Sequence, residues 1–179
     1  MKRSVGDVDL ELVRGDIASQ EGFDAVVNAA NARLMPGGGV AGAIHRAAGP
    51  GLAEECRPLA PIEPGEAVIT GAHELPNRYV IHCLGPVYGE DEPADRLLAE
   101  CYETALARAE ENEVESVAFP SLSTGAFGYP MREAAEIAIG TVVKRAAELE
   151  SVRRIRFVLW GEEALEAHRD ALRETLAGR

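Results

Sequence analysis

Short apolar runs alternate with apolar stripes at helical spacing from Val8 to Leu176, with no repeat and no low-complexity linker between them. Val8, Leu10 and Leu12 alternate with Asp9 and Glu11 and read as a half-exposed strand. Ala25-Val26-Val27 is a continuous apolar run, the pattern of a strand covered on both faces. Ala67–Thr70, Tyr79–Leu84, Val117–Phe119 and Ile155–Trp160 complete a set of six strand candidates. Helical stripes fall between and after them: Leu98, Cys101, Ala105 and Ala109; Ala135, Ala138, Ile139, Val142, Ala146 and Leu149; and Leu165, His168, Leu172 and Leu176. A shorter helix runs from Val40 to about Ala48 and is closed by Gly49-Pro50, while Pro93 and Pro130 mark the starts of two long helices. This alternation predicts an α/β domain over residues 1–179, with a mostly parallel sheet between two helix layers.

The 179 residues suit one domain, which needs no staple because a chain of this size buries roughly 70% of its unfolded surface. No apolar run approaches a membrane span, and Met1–Asp7 has a basic pair without the apolar stretch of a secretory signal. Cys56, Cys83 and Cys101 lie far apart, in no metal-ligand spacing, and read as reduced thiols of a cytoplasmic protein. A net charge of −12 argues against a nucleic-acid backbone as partner. An anion bound by such a chain must be held by backbone N–H groups and helix N-termini. A monomer without cofactor or metal is expected.

Ligands of parallel sheets sit beyond the carboxyl ends of the strands, so the residues after each strand matter most. Arg14-Gly15-Asp16-Ile17 follows the first strand, and Asn28-Ala29-Ala30-Asn31 then Pro36-Gly37-Gly38-Gly39-Val40 follow the second. Ser121 to Pro130 follows Phe119-Pro120, and Trp160-Gly161 follows the last strand. Three glycines entering a helix are either a flexible connection or a seat for a diphosphate. A second such loop, Ser123-Thr124-Gly125-Ala126-Phe127-Gly128, favours the seat, because two loops on one rim can pinch a diphosphate. Asn28 reads as a cap for exposed backbone, whereas the Asn31 amide can grip a ribose hydroxyl pair. Asp16 is a turn carboxylate or an acceptor for an adenine amino group, and Trp160 is a core-edge residue or a stacking platform. Phe127, between small residues, is placed to lean on a ligand. His82, in an apolar strand, reads as a satisfied core residue, and His73 and His168 as surface or helix-face positions. His45, on the helix opened by the glycines, is the histidine near the proposed site.

Gly15-Asp16-Ile17, Val27 to Asn31, Gly37 to Val40, Ile44 to Gly49 and Ser123 to Gly128, in that order, resemble the macrodomain family, closest to its MacroD-type, O-acetyl-ADP-ribose deacetylase branch. The resemblance implies a three-layer α/β/α domain with a mixed, mostly parallel sheet of about six strands. It also implies binding of ADP-ribose, or of ADP-ribosylated protein, and hydrolysis of esters at the distal ribose. On that likeness Asp16 accepts from the adenine amino group, Ile17 backs the ring and Trp160 stacks on it. Gly38, Gly39 and Val40 correspond to the first diphosphate loop, and Ser123, Thr124, Gly125, Ala126 and Phe127 to the second. Asn31 corresponds to the contact with the distal ribose, Phe127 to the ring that orients it, and Asn31 and His45 are the expected catalytic pair. One position departs: the branch has Asp four residues before the histidine, and this chain has Ala41. That leaves a non-catalytic ADP-ribose reader as the competing expectation.

Overall fold

A computed structural model describes residues 1–179. Seven strands form one sheet: β1 (Lys2–Val5), β2 (Val8–Arg14), β3 (Ala25–Ala29), β4 (Ala67–Gly71), β5 (Tyr79–Cys83), β6 (Ser116–Phe119) and β7 (Arg154–Leu159), in spatial order β1-β2-β7-β6-β3-β5-β4. The four inner pairings are parallel, while β1 on β2 and β4 on β5 are antiparallel. The helices are α1 (Gly39–Ala48), α2 (Gly51–Cys56), α3 (Ala94–Glu111), α4 (Met131–Ala146) and α5 (Glu162–Ala177). All six expected strands are present, and so are the four expected helices.

Alternation along the central strands feeds two cores. Ala25 and Val27 of β3, Val117 and Phe119 of β6, and Ile155, Phe157 and Leu159 of β7 join the core under α3, α4 and α5. Val26, Ala118 and Val158, the residues between them, join a smaller core under α1 and α2. With both faces covered, these strands carry no polar alternation, as their sequences indicate. Tyr102, Phe119 and Phe157 pack with ring centroids 5.4–6.0 Å apart and fix α3 on the sheet.

Two elements are additions to the sequence expectation. β1 is polar, Lys-Arg-Ser-Val, and three of its four residues are exposed, so it has no hydrophobic signature. It pairs with β2 through a two-residue turn at Gly6-Asp7, with Gly6 at φ +60° and Val5 opposite Val8. Charge on such an edge also opposes pairing with other chains. α2, at six residues, is too short for a stripe to be seen.

Candidate functional site

β3 and β6 are parallel neighbours, yet the chain leaving β3 crosses to the α1 side and the chain leaving β6 to the α4 side. Such a divergence opens a crevice at the carboxyl edge. The β3–β6 ladder has just two residue pairs, Ala25–Val117 and Val26–Ala118, so the strand ends stand apart. The cleft there has a volume of about 370 Å³ and is walled by the loop after β3, the loop after β6 and Gly85 after β5.

The first loop is tied by Asn31, whose Nδ2 donates to the Met35 carbonyl at 2.8 Å while Oδ1 accepts from the Met35 N–H at 3.1 Å. Asn31 therefore shapes the loop as well as lining the cleft, and keeps one N–H and one lone pair for a ligand. Gly38 is the N-cap of α1, with extended backbone and no side-chain cap. α1 has no acidic residue in its first turn, whereas α2, α3, α4 and α5 each have at least one. Its free N–H groups and dipole thus remain uncompensated at the cleft. Gly42 lets the loop press onto the helix, since a Cβ there would collide with the Gly37 carbonyl oxygen. A Cβ on Gly38 or Gly125 would meet nothing within 4 Å, so the space beside both is open.

In the second loop Ser123 is held at φ +65°, uncommon for a residue with a side chain. Its carbonyl accepts from Tyr129 N–H at 2.9 Å, and the Gly125 carbonyl from Gly128 N–H at 3.0 Å. The Ser123 hydroxyl is buried without a partner, in space that a side chain on Gly85 would fill. Tyr88 N–H donates to the Phe127 carbonyl at 2.8 Å and anchors the aromatic end of the loop to the third wall.

Of the expected site residues, Asn31, Gly38, Gly39, Val40, Ser123, Gly125, Ala126 and Phe127 line one cleft, together with Ala41. Asp16, Ile17, His45, Thr124 and Trp160 lie outside its lining. Thr124 is turned aside by a 2.9 Å hydrogen bond to the Ser121 hydroxyl. Trp160 follows β7 on the same edge with 84% of its surface exposed, which settles it outside the core. Asp16 Oδ1 caps a turn by accepting from Ala18 N–H at 2.9 Å, and Ile17 is buried. Ala29, Ala30, Gly85, Ser121 and Leu122 also line the cleft and were absent from the expected set. Ala29, Ala30, Ser121 and Leu122 fall in the post-strand segments named above, and the signal for Gly85 is a glycine immediately beyond a strand's carboxyl end.

His45 departs from the expectation of a catalytic contact. It lies one turn further along α1 than Ala41, about 6 Å along the helix axis. The ring is buried, neither nitrogen has a partner, and burial holds its pKa below the usual value. Asn28 departs too: it caps no backbone, but meets His82 across the β3–β5 ladder, Nδ2 to Nδ1 at 3.1 Å. His82 Nε2 reaches Thr70 Oγ1 at 3.0 Å, which satisfies this fully buried ring as expected. Burial, then the neighbouring His45, push the His82 pKa down to about 3. The unfolded chain, with histidine near 6.5, binds more protons below that pH, so this stability is full above 6.5 and is lost as pH falls toward 3. The urea midpoint is expected to drop between pH ~6.5 and ~5, before most carboxylates titrate, and His82→Gln should flatten that drop. An equal pH dependence in the variant would contradict the assignment.

Charge is distributed unevenly around the cleft. The chain has 30 acidic residues, yet none lies in 25–53, 79–89 or 116–132, the three segments that build the cleft. No lining residue is titratable. The cleft of this acidic α/β domain is thus uncharged and glycine-rich, with an uncapped helix N-terminus in its wall, and such a terminus attracts anions.

The comparisons with known proteins agree on the family. A family model for the Macro domain matches residues 27–138. An O-acetyl-ADP-ribose deacetylase of Klebsiella pneumoniae is 45% identical over 170 residues, covering 92% of this chain and 97% of that one. The Oceanobacillus iheyensis macrodomain solved with ADP superposes with a TM-score of 0.95 at 37% identity, covering 100% and 97% of the two chains. A Trypanosoma brucei macrodomain in complex with ADP-ribose gives a TM-score of 0.85 at 38% identity, covering 91% of this chain and 68% of that one. The chain belongs to the macrodomain family.

Proposed function

We propose that this macrodomain binds ADP-ribose in the cleft and hydrolyses ADP-ribosyl esters, O-acetyl-ADP-ribose and ADP-ribose on acidic side chains among them. The observation that carries the reading is the acid-free cleft between two glycine loops, one of them opening an uncapped helix. The diphosphate accepts from N–H groups of Gly38 to Ala41 and of the Ser123–Phe127 loop. Asn31 and Phe127 hold the distal ribose. Asp16, with one carboxylate oxygen engaged by Ala18, offers the other to the adenine amino group. Ile17 backs the adenine and exposed Trp160 stacks on it. ADP-ribose is then expected to change the fluorescence of the only tryptophan, and Trp160→Ala to weaken binding by ~1–3 kcal/mol. An unchanged spectrum at saturating ligand contradicts the stack.

Hydrolysis adds water across the ester: the water oxygen bonds the acyl carbon, the bond from that carbon to the ribose oxygen breaks, and the ribose oxygen takes the proton. The cleft supplies no titratable side chain, so a ligand phosphate and the Asn31 amide position the water, and its activation rests on placement. His45 acts through α1, as a positioning residue. A reader without turnover is the second reading, favoured by Ala41 and by the neutral lining. Incubation with O-acetyl-ADP-ribose and with an ADP-ribosylated protein separates the two. Release of acetate and of ADP-ribose is expected, while tight ADP-ribose binding without release makes the protein a reader.

A further inference from the structure

We propose that Arg33 and Arg46 form a docking surface for an acidic peptide bearing the ADP-ribosyl group, so that the site prefers a protein-linked substrate to a small one. The inference rests on ADP-ribose binding in the cleft and concerns what lies outside it. Of the 18 cationic side chains, nine form ion pairs, two donate to backbone carbonyls and two lie over aromatic rings. Arg33 and Arg46 are among the five left with no partner, and both are exposed. In a chain of net charge −12, these two free guanidinium groups fall in a stretch without any carboxylate, from 25 to 53.

Their position fits the mouth of the cleft. Arg33 lies in the loop between Asn31 and Gly37, both of which line it. A Cβ on Gly42 would come within 3.0 Å of Arg46 Nη1 while colliding with the Gly37 carbonyl, so this guanidinium sits close to the first loop. Neither arginine is among the residues lining the cleft, so both lie outside the diphosphate's seat and, on this proposal, at its rim. What reaches that rim is the body to which the distal ribose is attached. An acetyl group is too small, whereas a peptide modified on an acidic residue extends over it. Against a net charge of −12, and at physiological salt, where charges are felt over ~8 Å, these two cations favour the approach of an acidic peptide to this side of the cleft.

The test compares free ADP-ribose with a glutamate-rich peptide carrying ADP-ribose through an amide in place of the ester, so that nothing turns over during calorimetry. The natural protein is expected to bind the peptide several-fold more tightly than free ADP-ribose, with the difference vanishing at high salt. Arg33→Glu with Arg46→Glu should weaken the peptide about tenfold and leave free ADP-ribose within about twofold. Lys144→Glu, an exposed cation on α4, should change neither. Equal loss for both ligands would place the arginines on the diphosphate and overturn the proposal, as would no loss for the peptide. Failure of the natural protein to bind free ADP-ribose at all overturns the functional reading itself, and the docking surface with it.

Discussion

Gly38→Glu is expected to abolish ADP-ribose binding while leaving the fold intact. Gly38 has φ −87° and ψ 178°, a conformation open to any residue, and a Cβ there meets no atom within 4 Å. The glutamate side chain therefore enters the cleft without straining the protein. There it occupies the seat of the diphosphate, displaces hydrogen bonds worth about 1.5–3 kcal/mol each to a charged partner, and adds a repelling carboxylate. Losing two such bonds alone corresponds to a hundredfold or more in Kd, on the order of 1.4 kcal/mol per tenfold. Unchanged thermal unfolding with no calorimetric signal is the expected pair of results. Gly42→Ala is a useful contrast, because its methyl group strikes the Gly37 carbonyl and should disturb the first loop from behind. Retained ADP-ribose binding by Gly38→Glu would move the diphosphate out of this cleft.

The second large effect concerns Asn31 and Ala41. Asn31→Ala removes both hydrogen bonds to Met35 and the amide proposed to hold the distal ribose. Loss of a positioning group of this kind costs about 100-fold in turnover. Ala41 is nearly buried at the cleft wall, one turn above His45. Ala41→Asp puts a carboxylate at the open N-terminus of α1, where the helix dipole favours it and a diphosphate does not. With water attack dependent on placement, the natural protein is expected to be active, Asn31→Ala to fall by about two orders of magnitude, and Ala41→Asp to change kcat by less than about tenfold. A gain of roughly 100-fold in Ala41→Asp over an almost inert natural protein would show that a carboxylate is required.

The rim was legible in the sequence because its signals are local. Glycines beyond apolar runs, Pro36 before them and Phe127 amid small residues all mark the two loops that wall the cleft. What stayed hidden depends on three-dimensional neighbours. β1 had no apolar pattern, since an edge strand of Lys, Arg and Ser needs none. His45 was placed on the right helix, but the fall of its ring into the interior is set by how α1 lies on β3. Asn28 took the role of a buried partner to His82 because β5 happens to lie beside β3 in register. Thr124 shares a loop with Ser123 and Gly125, yet its hydroxyl is claimed by Ser121. Gly85 resembled any turn glycine until the three walls were assembled around it.

Calorimetric titration of ADP-ribose, AMP and ribose 5-phosphate tests the central claim most directly. Two glycine loops gripping one diphosphate predict that ADP-ribose binds more tightly than either fragment. AMP spans the adenine subsite and a single phosphate, and ribose 5-phosphate the distal end alone, so each engages only part of the pinch. Equal affinity for AMP and ADP-ribose would contradict the account.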